Sequence, residues 1–239
     1  MVKIEKIRAI EILDSRGNPT VMTRVYLSDG STGVAKVPSG ASTGVNEAVE
    51  LRDGDARYGG KGVLRAVNNV NTVLFEAVRE VDPLDLRAVD RALLSADSTR
   101  GKSRLGANAI LSVSMATAVS AARHLGVPLF QYLRTQVLGR EPKYLLPVPM
   151  SNVINGGAHA GNDLAIQEFM ILPVGAGDFP EAMRCLSEVY HILGKNMIAK
   201  YGRMAKHVGD EGGYCGFGLK STRDALDEIV RAISDAGYT

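Results

Sequence analysis

The chain has 239 residues, 45% of them hydrophobic and 23% charged, with a formal net charge of +2. That length buries a core in one large or two smaller domains, and the charge balance gives no strong field for nucleic acid or an anionic membrane. Cys185 and Cys215 have no CxxC spacing, no run nears the roughly 20 apolar residues of a membrane span, and MVKIEKIRAIEIL lacks a signal-peptide core, so a cytoplasmic soluble protein is expected.

The first forty residues read as β. Ile4, Ile7 and Ile10 sit among charges, and Val21, Val25 and Leu27 fall on odd positions. Asp29-Gly30 before Val34–Val37 is a hairpin signal. From Gly62 to Val81 apolar residues recur at three and four, which predicts an amphipathic helix. A second helix is expected from Pro83 to Ala96, capped by Asp82 with Pro83 at its first position. A third, about Ala107 to His124, is apolar on most sides and should be buried, with His124 placing favourable charge at its C-terminus.

Beyond a Pro- and Gly-rich stretch the pattern changes. Tyr144–Ile154 and Leu164–Val174 are strand candidates, Phe179–Ala199 a long helix, Met204–Val208 a short strand and Thr222–Ala236 a further helix. The expected division is residues 1–135 and 136–239. The second unit looks like the start of a parallel α/β barrel. About 95 residues follow position 144, too few for a closed barrel of roughly 200–250.

Four places carry chemistry-bearing residues. VPSGASTG (37–44) could cradle an anion or metal, or be a surface turn; it is not a GxxxxGK[ST] loop. NGGAHAGN (155–162) sets His159 among small residues on a loop expected after a strand. Gln167-Glu168 interrupts the apolar strand LAIQEFMILPV, where a carboxylate is costly to bury unless paired. HVGDEGGYCG (207–216) places Asp210 and Glu211 between glycines after a short strand, so only one acid need face a ligand.

Together, LDSRGNPT (13–20), VPSGASTG, GANAILSVSMA (106–116), NGGAHAGN, QEFMILP (167–173) and GDEGG (209–213) resemble the enolase family, in its order and from end to end. The resemblance implies an α+β N-terminal domain, a three-stranded sheet followed by helices, and then a partial α/β (TIM-like) barrel of the enolase type. It implies a lyase that dehydrates 2-phospho-D-glycerate to phosphoenolpyruvate in glycolysis and gluconeogenesis. The family's scheme, a Lys or His base with one or two magnesium ions, is taken over with it.

Carried across residue by residue, Glu211 would be the general acid for the leaving hydroxyl, and Glu168 would share that work and contact substrate. His159 and Gln167 would bind substrate, and Ser42 would ligate Mg2+ when its loop closes. Asp210 and Arg16 would be structural. The family's lysine base and its carboxylates for the first magnesium come later than Thr239. A separate chain carrying the C-terminal barrel half is therefore expected, in an oligomer of such units, with this chain inactive alone. A cleaved or shortened enzyme is a further explanation. The alternatives are a non-catalytic, enolase-derived scaffold and, more weakly, a related enzyme for another acid sugar.

Overall fold

The computed structural model describes residues 2–40, 44–157, 160–209 and 211–239. The chain separates into two compact units, Met1–Lys143 and Tyr144–Thr239.

The first unit opens with three antiparallel strands, β1 (Ile4–Leu13), β2 (Pro19–Leu27) and β3 (Thr32–Lys36), in the order β1-β2-β3. Alternation decides which face is inside: Ile7, Ala9, Val21, Val25 and Ala35 are buried, whereas Arg8 and Arg24 are exposed. The Asp-Gly signal is a real turn. Gly30 takes φ +88°, and Leu27 N–H donates to Ser31 O at 2.8 Å.

The helical run expected from Gly62 is α1 (Leu64–Asn69) and α2 (Phe75–Val78), joined by a wide turn at Val70–Leu74. Asn71, inside that turn, exchanges two hydrogen bonds with the backbone of Ala9, at 2.7 and 3.2 Å. It serves β1 as a substitute strand partner.

Helix α3 spans Leu86–Ala96. The expected start at Pro83 is corrected: Asp85 is the N-cap and accepts from Ala88 N–H at 2.9 Å, while Asp82 closes a local turn on Leu84 N–H. Both aspartates can cap, and the one followed by an uninterrupted apolar face prevails.

Helix α4 (Ala107–His124) is the buried centre of this unit and packs on β2 and β3. Its small residues permit close approach: a Cβ on Gly33 would run into the Ala116 carbonyl. Ser112 Oγ meets Thr23 Oγ1 at 2.7 Å in the interior. At the far end His124 Nδ1 lies 2.7 Å from Asp29 Oδ2, a hydrogen-bond contact to the β-turn rather than to the helix terminus alone. Helix α5 (Leu129–Tyr132) follows.

The second unit contains β4 (Ser151–Asn155), β5 (Glu168–Ile171), α6 (Phe179–Tyr201) and α7 (Thr222–Asp235). Three expectations are corrected here. Residues 144–150 are not strand. Strands β4 and β5 are antiparallel, not parallel. The strand expected at Met204–Val208 is largely a 3-10 turn, Arg203–Lys206, with one bridge from Val208 to Tyr214. A segment this short cannot be assigned by alternation. Among the described residues the unit is a small sheet with helices.

Helix α6 is capped by Asp178 with Pro180 in its first turn, and α7 by a Ser221–Asp224 capping box. Leu186, Val189, Leu193 and Met197 of α6 meet Ala225, Ile229 and Ala232 of α7 in one core with Val153, Ile154 and Phe169. Among the described residues no single helix is long and apolar enough to cross a membrane.

Candidate active site

Strands β4 and β5 pair with Asn155 opposite Glu168 and Asn152 opposite Met170, with a bulge between Asn152 and Ile154. A third segment runs parallel beside β4. Asn155 N–H donates to Tyr214 O and Tyr214 N–H to Val153 O, both at 2.9 Å. The loop before Tyr214 doubles back, with Gly209 N–H on Gly213 O at 2.9 Å and Gly212 N–H on Gly209 O at 3.0 Å. Glu211 is carried on that tip and is exposed.

The tip needs glycine for a specific reason. A Cβ on Gly213 would lie 2.6 Å from Asn155 Oδ1. The loop therefore rests directly on the Asn155 side chain, which is fully buried. Asn152 Nδ2 and Asn155 Nδ2 both donate to Glu211 Oε2, at 3.0 and 3.3 Å. Tyr190 Oη donates to Gly212 O at 2.8 Å, so α6 also holds the tip. Glu211 and Gly212 line a cleft of about 360 Å³ with Ser151, Asn152, Met183, Leu186, Ser187 and Tyr190.

Asn155 is the residue common to both acids. It is the register partner of Glu168 and a donor to Glu211. Glu168 is half-buried at the start of β5, beside the exposed Gln167, whose Nε2 is 3.5 Å from Glu168 Oε1. That separation is too long for a strong hydrogen bond. Gln167 holds the loop through its backbone instead, with its carbonyl accepting from Gly156 N–H at 2.8 Å. Asn162 Nδ2 donates to the carbonyls of Asn155 (2.8 Å) and Cys215, tying the loop after β4 to the third segment.

His159, Ser42 and Asp210 lie outside the described residues. The flanks of the Ser42 loop are anchored within the first unit. Ser39 Oγ donates to Glu50 Oε2 at 3.0 Å, and Arg16 Nη2 donates to Ser39 O at 2.7 Å. Arg16 thus supports the chain leading to that loop.

Among the described residues no three His, Cys, Asp or Glu side chains converge as cation ligands. Magnesium asks for several hard oxygen ligands in near-octahedral array, and the described donors do not supply that set.

Reading from the residues missed Asn152, Asn155 and Tyr190. The two asparagines had a signal: polar amides in an apolar stretch, the same anomaly that marks Glu168. Tyr190 had none, because an aromatic at helical spacing reads as core.

Comparison with known proteins decides the family. Residues 4–133 match the family model described as enolase, N-terminal domain, and residues 143–239 match that described as enolase, C-terminal TIM barrel domain. The chain belongs to the enolase family. An enolase from Thermococcus kodakarensis is 54% identical over 236 residues, covering 99% of this chain and 53% of that protein. One from Methanosarcina barkeri is 56% identical over 238 residues, covering 99% and 54%, and one from Pyrococcus furiosus 55% over 230, covering 96% and 52%. The chain spans about half the length of the curated enolases it matches.

Proposed function

We propose that this chain forms part of a cytoplasmic enolase that reversibly dehydrates 2-phospho-D-glycerate to phosphoenolpyruvate. The observation that carries the reading is the match to enolase relatives over nearly the whole chain, with both family models in order. Residues 143–239 then make up the first part of the enolase barrel, and the rest of that barrel is needed for activity.

Loss of water from this substrate breaks two bonds. A base takes the proton beside the carboxylate, and hydroxide leaves the next carbon. The leaving oxygen needs a proton, and a positioned carboxylic acid supplies one, typically for about a hundred- to ten-thousand-fold in rate. Glu211 is that acid in our reading, and Glu168 assists it from the opposite side of Asn155. Gln167 and His159 contact substrate. The base comes from the remainder of the barrel. Magnesium, with Ser42 among its ligands, is implied by the family resemblance; no step here is routed through it, because the described residues do not make its site.

The test is to combine the chain with the remaining part of an enolase barrel and follow phosphoenolpyruvate formation by its ultraviolet absorbance. Activity from the combination and none from either part supports the reading. A stable, well-folded combination that never turns over 2-phosphoglycerate overturns it and favours a scaffold role.

A further inference from the structure

We propose that Asn152 and Asn155 are positioning residues that hold Glu211 by its Oε2, so that Oε1 is the oxygen that carries and delivers the proton. This rests on the reading of Glu211 as the general acid.

Two N–H donors converge on a single carboxyl oxygen, at 3.0 and 3.3 Å. A proton placed on Oε2 would point at amide hydrogens that already occupy its lone pairs. The proton therefore belongs on Oε1, which has no hydrogen-bond partner among the described residues. Both donors thus orient the group through one oxygen, and the second oxygen is left for chemistry.

Facing an ionised Glu211, the Asn155 amide is set with Nδ2 toward the acid. Turning it over would set its carbonyl oxygen against Glu211 Oε2, acceptor against acceptor. The amide keeps Nδ2 on Glu211 even though Oδ1 is then buried without a partner among the described residues. An unpaired buried acceptor is costly, and Asn155 is fully buried. Its retention here is explained by what the other end of the amide does. Asn152 is fixed in turn: its Oδ1 accepts from Phe169 N–H at 3.3 Å across the bulge in β4. Asn152 is thus built into the strand at one end and aimed at the acid by the other, and Asn155 is held by burial, which is how a side chain on an exposed loop tip gains a defined direction.

Two measurements test this, one of them independent of activity. In the 239-residue chain, the side-chain amide protons of Asn152 and Asn155 are followed by NMR. Glu211→Gln should shift both sets; if neither moves, the contact does not exist and the proposal falls. In the combination with the rest of the barrel, Asn152→Ala should lower kcat roughly ten- to hundred-fold with KM nearly unchanged. The same change in a Glu211→Gln background should cost less than about two-fold, because the two residues act as one unit. Equal losses in both backgrounds would reduce Asn152 to a structural residue. Asn152→Asp keeps the acceptor for Phe169 N–H but not the donor, so it should stay as impaired as Asn152→Ala; recovery would overturn the proposal. An inactive unsubstituted combination, with the amide shifts present, would refute the general-acid reading and leave the contact standing.

Discussion

Tyr190 and Tyr214 stack with ring centroids 4.3 Å apart and planes inclined by 12°, and each hydroxyl is turned to a backbone carbonyl: Tyr190 Oη to Gly212, Tyr214 Oη to Tyr190. The pair couples α6 to the segment that carries Glu211. Tyr190→Phe keeps the stack and removes only the bond to the loop tip. We expect a loss of about 1 kcal/mol in stability and, on the proposed function, a larger fractional loss in kcat of the chain combined with the rest of the barrel. Denaturant unfolding and steady-state kinetics on the same variant check the split.

Gly194 inverts an ordinary rule. Alanine in a helix interior usually stabilises by about 1 kcal/mol relative to glycine. Here a Cβ would lie 2.5 Å from Tyr214 Oη and 2.8 Å from its Cζ. Tyr214 is 1% exposed and has nowhere to go. Gly194→Ala should therefore destabilise by about 1–3 kcal/mol, with loss of near-ultraviolet circular dichroism as the stack opens.

Asp97 is buried and accepts from Thr99 N–H, Thr99 Oγ1, Arg104 N–H and Leu105 N–H. Burial pushes its carboxyl up, but the Thr99 hydroxyl and these N–H groups outweigh it and hold the group below its ordinary value of 3.8. The native carboxylate is the more acidic one, so its contribution is complete above that value and is lost as pH falls below it. Asp97→Asn should lower stability at neutral pH by about 2–3 kcal/mol and flatten the acid limb of the stability curve. Chemical denaturation at a series of pH values measures both.

Asp29 gives a second titration. Hydrogen bonds from His124 and then from Ser31 lower its carboxyl from 3.8 to about 2. The sign is the same: its contribution is full above 3.8 and disappears as pH falls through about 2. His124→Gln should move the Asp29 carboxyl resonance midpoint upward, toward the ordinary value. A midpoint unchanged by the substitution would mean that Ser31 alone sets it.

Much of the fold was readable because its signals repeat. β1 to β3 alternate, and α3, α4, α6 and α7 carry apolar faces over eleven or more residues. What failed was short or relational. The 3-10 turn at Arg203–Lys206 is four residues long, below what periodicity resolves. Whether β4 and β5 run parallel depends on the path of the chain between them, not on either strand's residues. At the site, the anomalies Glu168 and Glu211 stood out as acids in apolar or glycine surroundings. Asn152 and Asn155 gain meaning only through the third segment that brings Glu211 beside β4, and no local pattern encodes that meeting.

Asn155 Oδ1, without a partner among the described residues, also bears on how this molecule would respond to directed evolution. An apolar residue of similar volume at 155 would relieve a buried acceptor of its missing partner, a gain of about 1–3 kcal/mol before repacking. A campaign scored on melting temperature alone would be drawn to that position. It would collect sturdier proteins in which, among the described residues, Glu211 keeps only Asn152 as an amide donor, so on the proposed function heat tolerance and turnover should trade against each other at this residue.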